Sequence, residues 1–461
     1  MKIKAFFVLT IVTLALMMTL TFNNSFTYAT VAGSDSTPPP TLIYIPSDNP
    51  ALAEIMQNGV DLVKQEKYDE AIEVFNQAIE IDPNFAPAYV ALGWAYSNIK
   101  DYGLALANAN RAIEIDPNLV ESYVLRGGIS QELGNYFDAL TDYDFAISLD
   151  PNKADGYIGR CTLYQDMGNL DSALLDINRA IELNPEASLL YVLRGLLYHD
   201  MADYEVAWQD LERAIELLPD FSELDKTNLT VEQYATVFGF AGTVQNALGN
   251  YTEAIEYINQ AIEIYPESFE FYFNRGFAYY SLGNNEQALS DYNQAIELSR
   301  DFPGYDYHEY YFQRGLVYVA TLNYPAALDD FNQALELKPD YADAILQIGL
   351  IYAKREDHLT AISYFSDVIE IDPENAEAYG YRGFSRIILE NYDLAIQDFD
   401  RVIQLMPEFF GGYLGRGLAY YYSGYSKEAL LDLHEYERLV GEGNVNPVYV
   451  PIIEQLEAQT N

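Results

Sequence analysis

Residues Val120–Pro151 read VESYVLRGGISQELGNYFDALTDYDFAISLDP, and close copies of this stretch recur along most of the chain. Their period is marked by prolines at intervals of 34 residues, which are Pro83, Pro117, Pro151, Pro185 and Pro219, and again Pro339, Pro373 and Pro407. A fixed interval of this length is the sequence signature of a solenoid of stacked repeats. It therefore predicts one repeat array, and not the roughly three separate domains that length alone would suggest.

Each copy is predicted to be a pair of antiparallel α-helices. In the quoted stretch, small and aromatic residues recur at helical spacing between residues 123 and 130, and again between residues 139 and 146. Gly134 can adopt the left-handed conformation that ends the first helix, and Asn135 can cap the second. Pro151 ends the second helix because it has no N–H group and its ring clashes with a helix interior. One such pair buries too little apolar area to fold alone, so stability belongs to the stacked array.

The repeated pattern resembles a known family. The second copy carries, in order, Tyr89, Leu92, Gly93, Tyr96, Ala105, Ala112 and Pro117. This is similar to the tetratricopeptide repeat (TPR), with Tyr89 where that family usually has Trp. The resemblance implies an all-α fold, a right-handed α-α superhelix (TPR solenoid) of antiparallel helix hairpins, which binds proteins or peptides on its concave face. We count eleven repeats, which start at residues 52, 86, 120, 154, 188, 235, 269, 308, 342, 376 and 410.

The first 29 residues match the pattern of a signal peptide. Lys2 and Lys4 precede an uninterrupted run of apolar residues and Thr from residue 5 to 20, and small residues near Ala29 and Ala32 offer cleavage sites. We therefore predict an exported protein that is periplasmic, secreted or on the cell surface. The alternative is a retained membrane anchor over residues 5–22, because about 18 apolar residues are the shortest helix that spans a bilayer.

The remaining boundaries follow the repeat period. A linker rich in Pro and Ser occupies residues 30–51, repeats 1–5 occupy residues 52–221, and repeats 6–11 occupy residues 235–443. Extra residues fall at 222–234 and near 303–307, where they form either tolerated surface insertions or functional loops, and the first of them could be a hinge. Residues 444–461 are predicted to form a C-terminal capping helix that covers the last repeat.

The chain is strongly acidic, with 25 Lys and Arg residues against 70 Asp and Glu residues. Loss of Lys2 and Lys4 with the leader leaves 23 against 70, a net charge of −47. Nucleic acids and anionic membranes are poor partners for such a surface, since phosphate contacts need basic residues. The acidic residues could instead attract a partner with basic flanks or divalent ions, could confer solubility alone, or could reflect adaptation to high salt.

No catalytic, metal or cofactor pattern is present in the sequence. His199, His308, His358 and His434 are far apart, and none lies beside Cys161, the only cysteine. The glycines recur with the repeat, which explains them without a phosphate-binding loop, and carboxylates are too abundant for any one pair to indicate acid–base chemistry. We therefore predict that the chain is not an enzyme and binds no cofactor.

Arg and Asp occur together in seven of the eleven repeats. Each of these Arg residues is followed sixteen positions later by an Asp, which gives the pairs Arg126–Asp142, Arg160–Asp176, Arg194–Asp210, Arg275–Asp291, Arg314–Asp330, Arg382–Asp398 and Arg416–Asp432. The four repeats without the Arg also lack the Asp. We predict a structural ion pair between the two helices of one repeat. The alternative is recent duplication of whole repeats, which would copy both residues without any contact.

In the TPR family, the first helix of each repeat lines the binding groove. The resemblance therefore places an apolar groove at Trp94, Val124, Ile158, Val192, Phe273, Phe277, Tyr280, Phe312, Leu316, Leu350, Phe384, Leu418 and Tyr421. Core packing is the alternative for any one of these residues. The family members that clamp a terminal carboxylate use Lys, Arg and Asn at these places, and this chain lacks that set.

These observations predict a non-enzymatic scaffold that binds a protein or peptide outside the cytoplasm. A carbohydrate-binding protein or a purely structural protein of the cell envelope is the alternative, because the 41 Tyr residues could stack on sugars. Most of these Tyr residues recur at fixed places of the repeat, which favours a role in packing.

Overall fold

The computed structural model describes residues 49–65, 67–226, 229–300, 307–441 and 444–460. The predicted leader at 1–29, the linker up to residue 48 and most of the insertion at 303–307 lie outside these residues. Within them the chain is all-α and forms antiparallel helix hairpins without any strand, so the predicted fold class is confirmed. In the same residues, no helix combines the length and the apolar content needed to cross a membrane.

Each repeat contributes two helices. The first helices are α1 (Pro50–Lys64), α3 (Ala86–Asn98), α5 (Val120–Glu132), α7 (Asp155–Asp166), α9 (Ser188–Asp200), α11 (Val231–Ala247), α13 (Phe269–Ser281), α15 (His308–Ala320), α17 (Ala342–Lys354), α19 (Ala376–Ile388) and α21 (Phe410–Ser423). The second helices are α2 (Tyr68–Ile81), α4 (Tyr102–Ile115), α6 (Tyr136–Leu149), α8 (Leu170–Leu183), α10 (Tyr204–Glu216), α12 (Tyr251–Ile264), α14 (Asn285–Ser299), α16 (Tyr324–Leu337), α18 (His358–Ile371), α20 (Tyr392–Leu405) and α22 (Ser426–Val440). Helix α23 (Val450–Thr460) follows the last repeat.

The chain divides into two compact units. One lies within residues 31–298 and contains seven repeats, and the other, from residue 299 onward, contains four repeats and α23. The boundary lies beside the second irregularity of the repeat period and not at residues 222–234. That first insertion contains a 3-10 helix, Phe221–Lys226, and α11 then begins at Val231, four residues before the start expected from the period. Thr230 and Gln233 form a reciprocal capping box there, which explains the earlier start.

A small residue brings the two helices of a repeat together. A Cβ atom added to Gly127 on α5 would lie 2.9 Å from Cε1 of Tyr143 on α6, so the ring of Tyr143 fills the space that the missing side chain leaves. The Tyr123 hydroxyl, also on α5, donates a hydrogen bond to the carbonyl oxygen of Pro117 at 3.1 Å. The same bond joins Tyr89 to Pro83, Tyr191 to Pro185 and Tyr413 to Pro407. These tyrosines therefore fix the turn between consecutive repeats.

Helix α23 covers the end of the second compact unit. Its residues Ile453 and Leu456, together with Tyr449 just before it, are buried in one apolar cluster with Leu433 and Tyr436 of α22. Helix α23, and not a further helix pair, packs on this side of the eleventh repeat. The final helix therefore shields apolar area that would otherwise face water.

Candidate functional site

The structure brings together all seven Arg–Asp pairs. Arg126 on α5 donates from Nε and Nη2 to both carboxylate oxygens of Asp142 on α6, at 2.8 and 2.7 Å. The same two-point contact, at 2.6–3.2 Å, joins Arg160–Asp176, Arg194–Asp210, Arg275–Asp291, Arg314–Asp330, Arg382–Asp398 and Arg416–Asp432. Two parallel bonds from a planar guanidinium orient both side chains, so each pair fixes the angle between the two helices of its repeat.

A third contact of these arginines was not predicted from the sequence. Nη1 of Arg126 donates to Asn110 on α4, in the preceding repeat, at 2.9 Å. The equivalent bonds join Arg160 to Asp144, Arg194 to Asn178, Arg275 to Asn259, Arg382 to Ser366 and Arg416 to Asp400. Each acceptor precedes its Arg by sixteen residues, the same interval that separates the Arg from its Asp. A comparison of the repeats at sixteen residues before each Arg, as well as after it, would have found this contact.

In six of the seven arginines, these contacts use all three nitrogens of the guanidinium group. The hydrogen bonding that Arg160 donates to Asp176 is the main cause that raises the pKa of Arg160, and the bond to Asp144 adds to it. Because the Asp176 side chain is only 7% exposed, removal of Arg160 would leave a buried carboxylate without its partner. The seven arginines therefore join the two helices of their own repeats, and six of them also join neighbouring repeats.

The thirteen predicted groove residues lie at places 5, 9 and 12 of the first helices, counted from the start of each repeat. Seven are buried in the apolar core: Val124, Val192, Phe273, Phe277, Phe312, Phe384 and Leu418. The other six are half-buried: Trp94, Ile158, Tyr280, Leu316, Leu350 and Tyr421. Places 5, 9 and 12 form one stripe of an α-helix. We call the half-buried residues of this stripe the first-helix face.

Three carboxylates adjoin the first-helix face in the second compact unit. Glu309, Asp343 and Glu377 occupy place 2 of α15, α17 and α19, and we call them the acidic row. Burial raises the pKa of all three, and Asp343 raises the pKa of the other two further. Glu309 accepts hydrogen bonds from the Tyr341 hydroxyl at 2.5 Å and from Gln313 Nε2 at 2.7 Å. Sequence reasoning missed this row, although the acidic residue at place 2 of three successive repeats was visible.

The described residues offer neither a reactive thiol nor a metal site. Cys161 is 1% exposed, and burial raises the pKa of its thiol to about 12, so it stays protonated near neutral pH. In the described part of the chain, no group of three or more His, Cys, Asp or Glu side chains is arranged to hold a metal ion.

Family models of one kind match along the chain. Models described as TPR repeat or tetratricopeptide repeat match residues 59–100, 86–119, 157–186, 189–221, 242–283, 268–340 and 312–376. A comparison with curated protein sequences gave no significant match.

Several solved structures are similar to this chain. Yeast Tom70 is 15% identical, with a TM-score of 0.41, and the alignment covers 89% of this chain and 96% of that one. A tetratricopeptide repeat protein from Parabacteroides merdae is 22% identical, with a TM-score of 0.41 and coverage of 60% and 99%. YrrB, described as a TPR protein with an unusual peptide-binding site, is 22% identical, with a TM-score of 0.33 and coverage of 46% and 97%.

Proposed function

Because this chain belongs to the tetratricopeptide repeat family, we propose that it is a non-enzymatic scaffold that binds a protein or peptide through its first-helix face. The observation that carries this proposal is the set of half-buried apolar residues at places 5, 9 and 12, of which Leu316 and Leu350 are examples. An extended or helical segment with apolar anchors would cover them and gain the free energy of burial.

The arginines and tyrosines support the same proposal by elimination. Seven arginines are held by Asp residues, and the repeated tyrosines Tyr89, Tyr123, Tyr191 and Tyr413 donate to proline carbonyls. These groups stabilise the repeats and are therefore poor candidates for stacking on sugars. This favours a protein or peptide over a carbohydrate as the partner.

The proposed place of action is outside the cytoplasm. The signal-peptide pattern at residues 1–29 supports this, and the negative charge disfavours nucleic acid as the partner. The mass of the mature chain purified from its source cell distinguishes a cleaved signal peptide from a retained membrane anchor. Loss of about the first 29 residues indicates cleavage, and an intact N-terminus in the membrane fraction indicates an anchor.

Affinity capture tests the scaffold proposal. The full chain, tagged at its C-terminus and expressed in its source cell, is compared with a variant that carries Leu316→Ser and Leu350→Ser. A second variant carries Leu322→Ser and Leu359→Ser, which changes two leucines that are 70% and 72% exposed and lie off the first-helix face. We expect one discrete partner to be retained by the wild type and the second variant and lost by the first. Circular dichroism and melting curves must show that all three chains fold.

Equal capture by all three chains would contradict the first-helix face as the binding surface. Absence of any partner, together with binding to a glycan array, would replace the scaffold by the carbohydrate-binding alternative.

A further inference from the structure

In the third repeat, the carboxylate at place 2 is neutralised by a lysine of the same repeat. Lys153, at place 34, forms an ion pair with Glu121, at place 2, and the two residues are 32 positions apart. The Glu121 side chain is only 15% exposed, so the ammonium group offsets the cost of removing this carboxylate from water. In this repeat, the carboxylate at place 2 therefore binds the ammonium group of a lysine side chain.

The acidic row has the same carboxylates without the lysine. In the eighth repeat, Tyr341 stands at place 34 and donates its hydroxyl to Glu309 across the same interval of 32 positions. The two following repeats carry Asn375 and Phe409 at place 34, opposite Asp343 and Glu377. A tyrosine hydroxyl supplies one hydrogen bond but no positive charge, and phenylalanine supplies neither. Three successive repeats thus keep the carboxylate at place 2 and carry no cation at place 34.

Within the described residues, none of the three carboxylates forms an ion pair with a basic side chain of this chain. Lys338 is the cation that acts on Asp343, and its ammonium group lies 5.2 Å from the centre of the Tyr341 ring. Glu309 and Glu377 are half-buried, and a buried carboxylate that is repelled by a neighbouring carboxylate and forms no ion pair costs free energy in the folded state. Ionisable groups that destabilise the folded state without stabilising another part of it are typical of binding sites.

A buried amide beside the row points to a missing hydrogen-bond donor. Gln313 is 2% exposed, and its Nε2 donates to Glu309, which places its amide group at the row. Its Oε1 accepts no hydrogen bond from the described part of the chain. A buried amide oxygen without a donor lowers the stability of the folded state. A ligand with N–H groups would satisfy this oxygen and the carboxylate of Glu309 together.

The surroundings suit a cation on a long apolar stem. The rings of Phe312 and Tyr341 are 5.0 Å apart, and Leu316 lies half-buried on the same helix as Glu309. Aromatic faces attract cations, and apolar side chains pack along the methylene groups of lysine and arginine. A metal ion would use none of these apolar groups.

We propose that the acidic row, together with Gln313, receives the lysine or arginine side chains of the bound protein segment. This proposal rests on the scaffold function above and narrows the partner to a segment with at least two basic residues. The net charge of the chain, −45 by sequence, would draw such a segment toward the array, and the row would fix its register.

Fluorescence anisotropy with a fluorescein-labelled pentalysine peptide tests the row. The full chain is compared with a row variant that carries Glu309→Gln, Asp343→Asn and Glu377→Gln. The control variant carries Glu336→Gln, Asp367→Asn and Glu370→Gln, which removes the same number of charges from exposed positions on the second helices α16 and α18. The same peptide with acetylated ε-amines controls for the backbone and the dye.

We expect the row variant to bind pentalysine at least about tenfold more weakly than the wild type, and the control variant to change the affinity by less than about twofold. The acetylated peptide should not bind. Equal weakening by the two variants would show attraction to net charge alone and would overturn the proposal. No binding of pentalysine to the wild type at 50 mM NaCl would also overturn it, as would stabilisation by calcium chloride that the row variant abolishes.

Affinity capture with the row variant separates this proposal from the scaffold function. A partner that the wild type and the row variant retain equally leaves the scaffold function intact and overturns the assignment of the row. A partner lost by the row variant and kept by the control variant, and displaced by pentalysine, supports both. All variants must first show the same helicity as the wild type.

Discussion

Arg160 in the fourth repeat lies 2.6 Å from Asp144 in the third. The same guanidinium group holds Asp176 of its own repeat through Nε and Nη2. One side chain therefore joins the two helices of a repeat and also joins that repeat to its neighbour. The stability of a solenoid is the sum of the intrinsic stability of each repeat and the stability of the interfaces between neighbouring repeats, and these arginines contribute to both.

The two carboxylates that contact Arg160 should differ in their contribution to stability. Asp176 is 7% exposed and Asp144 is 53% exposed, so water screens the second contact far more strongly. We expect Asp176→Ala to lower the free energy of unfolding by about 3 kcal/mol, and Asp144→Ala by less than about 1 kcal/mol. Urea denaturation followed by circular dichroism measures both. Equal losses would mean that burial does not set the strength of these contacts.

Gly127 and Gly128 provide a matched pair in one helix. A Cβ atom at Gly127 would lie 2.9 Å from the Tyr143 ring, whereas one at Gly128 would meet nothing closer than 3.7 Å. Gly128→Ala should stabilise the chain by about 0.5–1 kcal/mol, since alanine is the better helix former. Gly127→Ala should destabilise it by about 1–3 kcal/mol because the ring of Tyr143 must move. The melting temperatures of both variants test this, and a rise for both would show that the ring moves at little cost.

The residue that ends a first helix provides another matched pair. Gly134 has φ +74°, and Leu322 takes the same left-handed conformation, with φ +59°, in the eighth repeat. Leu322→Gly should stabilise the chain by about 1 kcal/mol, and Gly134→Ala should destabilise it by a similar amount. The side chain of Leu322 is 70% exposed, so its loss removes little packing. A fall in melting temperature for Leu322→Gly would reveal a contact that outweighs the backbone strain.

The acidic row should lower stability at neutral pH. Burial and then Asp343 raise the pKa of Glu377, and Tyr381 lies close to the same carboxyl. A carboxyl whose pKa is raised in the folded state destabilises that state once it ionises, so its cost is absent below the unfolded value of about 4.3 and complete above the folded pKa. Glu377→Gln should therefore raise the melting temperature at pH 7.

This gain should shrink as the pH falls and should vanish near pH 4. The exposed Glu370 on α18 supplies the control, Glu370→Gln, which removes one charge from the same acidic surface. A gain for Glu377→Gln that equals the gain for the control, or that persists at pH 4, would show that this site carries no specific cost. Differential scanning calorimetry at both pH values measures the two variants.

Much of the fold could be predicted from the sequence because the residues that set it interact within one repeat. Pro151 ends a helix, Gly134 reverses the chain, and the interval of sixteen residues between Arg126 and Asp142 sets two side chains opposite each other on paired helices. These features depend on neighbours within one repeat, and eleven copies let each pattern be checked against the others. The helix pairs and the type of solenoid could therefore be predicted without coordinates.

The tertiary structure alone decided which residues of a helical stripe are covered. Periodicity puts Phe312 and Leu316 on the same face, but only the packing of adjacent helices buries the first and leaves the second half-buried. The donor that Oε1 of Gln313 lacks likewise could not be predicted from sequence spacing. Sequence spacing determines the direction of a side chain from its own helix, whereas burial and hydrogen bonding depend on atoms that the neighbouring elements supply.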